Sequence, residues 1–413
     1  MKEVAVVSGV RTPVGRYMGG LKTIEAYELA EKVLNESIKR VGLEASQVDE
    51  VILGQSYQNG ESVNVARMAL LKAGWPEAVT GLTVDRRCCS GLETVRLATA
   101  LIQSGQADII VAGGVESMSN AEFYLPGSMK WGVGGQKGMP RGHGDLSMWG
   151  LPFYDRIQRA RVMSQPEERY GILPSMMSWA ETAARVENIS REACDQWALE
   201  SQQKACAAIK AGKFKDEILP IEVPLPKGKT EIIDSDENPR PETTIERLQK
   251  LKPVMEGVCT AGNSSTENDG AAAVVMMSAE KAAELNLNPM AIVRSVTAAG
   301  ASPERAYETV PAAVNKALAA AGLDLQQMDL IEIQEAFAAQ VLADLKEMGL
   351  GPEGYGKINV NGSGISLGHP IACTGTRVLV TLLYEMQRSD VRYGLECICG
   401  GGGLGIAGIF EKV

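Results

Sequence analysis

Two cysteines, Cys88 and Cys89, stand side by side in VDRRCCSGLETV, residues 84–95, where a strand-like run gives way to a helical pattern. A thiol at such a junction faces the free N–H groups and the positive end of a helix, and both stabilise a thiolate. Arg86 and Arg87 add positive charge next to it. A thiol pKa lowered in this way makes a good nucleophile. A buried cysteine acting as a small hydrophobe fits the same stretch.

The chain has two histidines. His143, in the polar glycine loop PRGHGDLS, reads as solvent-exposed. His369, in NVNGSGISLGHPIACTG, sits in a turn after a strand-like run, flanked by glycines and followed by Pro370. A histidine held there can point its ring into a cleft and take a proton from a thiol, and a purely structural role fits equally. Near the C-terminus Cys399 is followed by four glycines. Backbone N–H groups without side chains beside them suit an oxyanion hole next to a thiol proton donor. A tight hairpin has the same pattern. Gln334 and Glu335, in EIQEAFAAQ, end a strand as cap or as site. The polar cluster in VCTAGNSSTENDGAAAVV is either a plain loop or a ligand site built from Ser and backbone groups.

These groups need a frame to meet on. The 413 residues exceed the size at which one core stops growing, so two or three domains or two fused halves are expected. Strand-like and amphipathic helical runs alternate: EVAVVSG, TIEAYELAEKVLNESIKRVG, VDEVILGQ, SGLETVRLATALIQSG and ADIIVAGGVES. The first 120 residues therefore predict an α/β layer structure on a buried, largely parallel sheet. Residues 121–250, rich in Met, Gly and Pro and then helical, read as an inserted loop domain. Strand–helix alternation returns afterwards, with DLIEIQEAF and INVNG among the strand-like runs. The similar rhythm on both sides of the insertion suggests two related halves.

Composition narrows the function. The net charge is −10, with no basic stripe, which argues against nucleic acid as the partner. No run of about 18 apolar residues predicts a membrane span. The N-terminus enters a strand-like run at once, without the pattern of a secretory leader. The eight cysteines lack metal-ligand spacing, so no metal is expected and a reduced, cytoplasmic setting fits.

The joint pattern resembles the thiolase family over essentially the whole chain. VSGVRTPVGRYMGGL, NVARMALLKAG, CCSGL, GGVESMS, GNSSTENDGAA, QEAFAAQ, NVNGSGISLGHP and CGGGGLG fall in that family's order. The resemblance implies the thiolase fold: two related βαβαβαββ halves in five α-β-α-β-α layers, with an inserted loop domain. Residues 1–120 form the first half, completed by about 251–285. Residues 121–250 form the loop domain and 286–413 the second half.

The resemblance makes Cys88 the nucleophile and puts Cys89 in a slot usually held by Gly or Ala, where it narrows the acyl pocket. His369 becomes the base and Cys399 the second catalytic thiol. Gln334 holds a water that, with His369, stabilises an enolate. The N–H groups of Cys88 and of Gly402 or a neighbour form the other oxyanion hole, and Ser265 meets coenzyme A. The implied activity is reversible acyl transfer from acyl-CoA through a Cys acyl-enzyme, foremost acetyl-CoA C-acetyltransfer. Coenzyme A is substrate and product, no cofactor is permanently bound, and a homodimer or homotetramer is expected. The loop near residues 121–145 is a candidate for the tetramer contact. The chain departs from the family in Gln334, where Asn is usual, in Cys89, and in Ser175, Met176 and Met177, where a His often precedes a Met. That last departure keeps a degradative thiolase for longer or specialised chains as an alternative. Ketoacyl synthases use a Cys with two His or with His and Asn, and this pattern does not fit them. A non-catalytic thiolase-like subunit typically loses a catalytic residue, whereas both cysteines and the His persist here.

Overall fold

The computed structural model of the chain describes residues 2–126, 153–173 and 175–413. The first half runs β1 (Val4–Arg11), α1 (Ala26–Lys39), β2 (Glu50–Gly54), α2 (Val65–Lys72), β3 (Thr80–Val84), α3 (Ser90–Gln103) and β4 (Ile109–Ser117), and is completed by β5 (Asn268–Ser278). The intervening stretch includes helices α4 (Arg156–Val162), α5 (Met177–Glu187) and α6 (Arg191–Lys210). The second half runs β6 (Ala291–Gly300), α7 (Thr309–Ala321), β7 (Leu330–Ile333), α8 (Ala338–Glu347), α9 (Thr374–Ser389), β8 (Tyr393–Gly400) and β9 (Leu404–Glu411).

The strands lie in the order β7-β8-β9-β6-β1-β5-β4-β2-β3, so the halves join through β1 and β6, where Ala5 pairs with Ile292 and Val6 with Ala291. The first half has the βαβαβαββ order. The second repeats it, except that its third strand is reduced to a single bridge between Ile331 and Ile358. The run INVNG, read as a strand, thus forms none. Its Asn359 instead turns with φ +46°, and its side chain bonds both backbone groups of Ile333. The sheet is also mixed rather than largely parallel. β2 pairs parallel with β3 and β4, but β5 returns from the far side of the insertion and lies antiparallel between β1 and β4.

Five layers follow from where the apolar side chains go. Helix α1 buries Leu29, Ala30, Val33, Leu34 and Ile38, one face at helical spacing, and packs with α2 on one side of the first half. Helices α7 and α8, with α5 and α6, cover the outer side of the second half. Helices α3 and α9 fill the space between the two strand layers. They meet at Gly91 and Gly375. A Cβ at Gly91 would lie 2.5 Å from the Thr376 nitrogen, and one at Gly375 would lie 2.3 Å from the Leu92 nitrogen. This close approach brings the starts of the two central helices together, and with them Cys88 and His369.

A buried ion cluster ties β1 to the segment beyond α6. The Arg11 Nε lies 2.7 Å from Glu217, and its two Nη groups lie 2.7 and 2.9 Å from the Asp236 carboxylate. All three side chains are fully buried. Removing one partner of such a cluster leaves an uncompensated charge. Asp236→Ala is therefore expected to lower stability by about 3–5 kcal/mol, read as a large fall in Tm. An unchanged Tm would show that the cluster carries no weight.

Candidate active site

Cys88 is presented by a tight turn between β3 and α3. The Asp85 carboxylate accepts the Arg87 N–H at 2.7 Å and the Ser56 hydroxyl at 3.0 Å. The Ser90 hydroxyl accepts the Arg86 N–H at 2.8 Å and donates to the Arg87 carbonyl at 2.6 Å. These bonds hold Arg87 at φ +55°, a conformation that costs a non-glycine residue about 1–3 kcal/mol. The turn swings Cys88 into the wall of a cavity of about 540 Å³. Cys89 points the other way. It is fully buried in the layer between the strands, with its thiol 3.6 Å from the Ile398 carbonyl. It does not line the cavity, so the narrowing of the acyl pocket expected from its bulk is absent. It packs instead against Gly400, where a Cβ would lie 2.9 Å from its sulfur.

His369 completes a pair with Cys88. Its Nε2 is 3.2 Å from the Cys88 sulfur, and its Nδ1 is 2.7 Å from the Thr374 hydroxyl. Its backbone N–H donates to the Asn268 side chain at 2.8 Å. Gly368 before it has φ +104°, and a Cβ there would lie 2.2 Å from Asn238 Nδ2, so only glycine fits. Glu116 braces the same loop. Its buried carboxylate accepts N–H groups from Ser56, Tyr57 and Ala372 at 3.0–3.2 Å, and burial pushes it up to about 7.

Burial also sets the charge of the pair. It pushes the Cys88 thiol up to about 11, against the N–H of Gly401 and the charge of Arg87, which pull it down. Burial, with Arg377 and Arg161, lowers His369 to about 3. The lowered thiol pKa expected from the helix start is thus reversed by desolvation, and the resting pair is a neutral thiol beside a neutral imidazole. In the tautomer that donates Nδ1–H to Thr374, Nε2 is free to accept the thiol proton. Alkylation of Cys88 by iodoacetamide should therefore rise about tenfold per pH unit from pH 7 to 9, because the thiolate fraction climbs towards the raised pKa. A rate flat above pH 6 would instead show a preformed thiolate–imidazolium pair.

The other sequence-predicted residues divide. Cys399, at the end of β8, lines the same cavity, as do Gly400 and Gly401. Burial, then Cys88 and Asp344, push its thiol well above the ordinary range. The N–H that reaches Cys88 is that of Gly401, not of Gly402, which has φ +88° and lies outside the cavity wall. Ser265 lines the cavity, and its N–H donates to the Ala336 carbonyl. Gln334 is fully buried behind the wall rather than in it. Its Oε1 is 3.5 Å from an Arg377 nitrogen, and its Nε2 has no partner among the described residues. Its neighbour Glu335 is structural, accepting from Trp197, Ser201, Asn359 and the Ile365 N–H. His143 lies outside the described residues, as does most of the 121–145 loop.

Sequence reasoning missed Glu116, Asn268, Thr374 and Arg377. Asn268, the first residue of β5, was within reach, in the polar run already singled out. Thr374 was signalled only by its place five residues after His369. Among the described residues no three His, Cys, Asp or Glu side chains gather to hold a metal. No helix of the described residues is long and apolar enough to cross a membrane. The arrangement holds a thiol, its base, a second thiol and a backbone donor in one cavity. That equipment suits transfer of an acyl group through a thioester on the protein.

Residues 4–280 match the family model of the thiolase N-terminal domain, and residues 287–412 that of the thiolase C-terminal domain. The chain is 44% identical to an acetyl-CoA acetyltransferase of Pseudomonas aeruginosa over 98% of both chains. It is 42% identical to one from Escherichia coli K12 over the full length of both. The crystal structure of the Bacillus anthracis acetyl-CoA acetyltransferase superposes with a TM-score of 0.91 at 39% identity, covering 100% of this chain and 99% of that one.

Proposed function

The chain belongs to the thiolase family, and we propose that it is an acetyl-CoA acetyltransferase that joins two acetyl-CoA into acetoacetyl-CoA and CoA, and runs the reverse thiolysis. The observation that carries the reading is the 3.2 Å contact between Cys88 and His369 in the cavity that Cys399 also lines. Coenzyme A is substrate and product in this reading, which calls for no permanently bound cofactor.

In thiolysis, His369 Nε2 takes the Cys88 proton and the thiolate attacks the 3-oxo carbon. The oxyanion forms beside the N–H groups of Cys88 and Gly401. The C2–C3 bond breaks, and the carbanion takes the proton of Cys399, which is a neutral thiol at rest. The acetyl-CoA so formed leaves, and coenzyme A enters and gives its thiol proton to the Cys399 thiolate. The CoA thiolate attacks the acyl-Cys88, and the released Cys88 thiolate recovers its proton from His369. Every proton is returned, so the cycle closes. Gln334 Nε2 lacks a partner among the described residues, which supports its holding a water behind His369. Ser265 and the cavity-lining Arg16 and Arg240 suit the coenzyme A arm and its phosphates.

Outer strand β3 ends the sheet order, with Leu82 exposed on it and Leu71 on the adjacent α2, which supports a homodimer through that edge. The cytoplasm is the setting proposed for the enzyme. Steady-state thiolysis of acetoacetyl-CoA with CoA tests the activity. Turnover with saturation in both substrates is expected, and no turnover would contradict the reading.

A further inference from the structure

Beside Cys399 the cavity opens between three elements that pack on one another: α5, α8 and the turn Pro303–Glu308. Each sends side chains to the wall, Trp179 and Ala180 from α5, Ala306 and Tyr307 from the turn, and Gln340 from α8. This side chamber is apolar and aromatic except for Gln340. That side chain is 6% exposed, and its Oε1 has no partner among the described residues.

Behind Gln340, one helical turn along, lies Asp344, fully buried on a helix whose Ala339, Val341, Leu342 and Leu345 belong to the apolar core. Among the described residues its hydrogen-bond partner is the Gln340 amide, and its Oδ1 has none. Among the described residues the titratable groups that sense it are Glu347 on its own helix and Cys397 and Cys399 on β8, none of them a cation. An ionised carboxylate without a cation in such a place is costly, and the neutral acid is the stable form. A neutral acid must place its O–H on an acceptor. An amide turned by 180° fills the same space. Asp344 then donates to Gln340 Oε1, and the Gln340 NH2 faces the chamber. One buried charge disappears, and the polar atom left over is a donor aimed into the cavity.

We propose that Gln340, set by Asp344, is a specificity residue of the acyl site: it offers an N–H donor in the chamber beside Cys399 and so selects 3-oxoacyl-CoA substrates whose acyl chain carries a further oxygen acceptor. This deepens the thiolase reading and rests on it. Acetyl groups leave the chamber unused, whereas a longer chain enters it and meets the donor.

The test compares thiolysis of 3-oxooctanoyl-CoA with that of 3,7-dioxooctanoyl-CoA, which has the same skeleton and one more ketone, with acetoacetyl-CoA alongside. One neutral hydrogen bond corresponds to about tenfold in kcat/KM. The unaltered protein should favour the diketone by about tenfold or more. Gln340→Leu should bring the ratio to about one. Asp344→Leu should also lower it, while Asp344→Asn, whose NH2 can donate to Gln340 Oε1, should keep it. Because the readout is a ratio, a general loss of activity does not imitate the effect. If a variant fails to fold, the ratio of the unaltered protein decides. Equal values for the two chains, or no turnover of either, would overturn the inference alone. No thiolysis even of acetoacetyl-CoA would overturn the thiolase reading and the inference with it.

Discussion

Cys88→Ser is expected to lower the kcat of acetoacetyl-CoA thiolysis by about 10⁴-fold or more, with the fold intact. The hydroxyl fits the same turn, since the bonds of Asp85 and Ser90 that shape it do not involve the Cys88 side chain. What changes is the proposed nucleophile. The imidazole, held neutral and weakly basic by burial, takes a proton from a thiol far more readily than from an alcohol. The adjacent Cys89→Ala is the control. Its side chain sits in the layer between the strands and off the cavity wall, so it is expected to cost about 1 kcal/mol of stability and to leave kcat within a few-fold. Steady-state kinetics on the two variants checks both. Comparable losses in the two would remove the distinction between the neighbouring thiols.

The second large effect separates the two half-reactions. On the proposed mechanism Cys399→Ala removes the proton donor to the carbanion, and it should lower thiolysis and condensation by about 10²–10⁴-fold. On the same mechanism, exchange of labelled CoA into acetyl-CoA uses only acylation and deacylation of Cys88, with His369 carrying the proton. It should therefore persist near its original rate. Loss of both activities together would mean that Cys399 serves the nucleophile and not the second carbon. An unchanged thiolysis rate would remove Cys399 from the chemistry altogether. A small loss in stability is expected as well, since Cys399 packs on the apolar cluster of the second half.

The alternating strand and helix runs were legible because buried strands and amphipathic helices have distinct periods. α1 lies inside the predicted stretch and stops at Lys39, just before Gly42, which takes φ +65°. The mixed character of the sheet was not legible, because strand direction depends on a crossover spanning the whole insertion. INVNG had a strand's composition, but Asn359 turned its side chain onto the backbone of β7 instead.

At the site, Cys88, His369 and Cys399 stood out through the glycines that let backbone approach them. Their glycine neighbours were less exact, since only the geometry separates Gly401, which reaches Cys88, from Gly402, which turns the chain. The pKa of Cys88 was read in the wrong direction, because sequence shows the helix start and the arginines but not the depth of burial. Glu116 and Asp344 were invisible for the same reason. A carboxylate in a helix or strand pattern looks like a solvated one until the packing around it is known.

The most direct test of the account is to find the acylated atom. The protein is mixed with acetyl-CoA, quenched in acid within seconds, digested and mapped by mass spectrometry. One acetyl group is expected on Cys88, with Cys89 and Cys399 unmodified. An acetyl group on Cys89, or none on any cysteine, would contradict it.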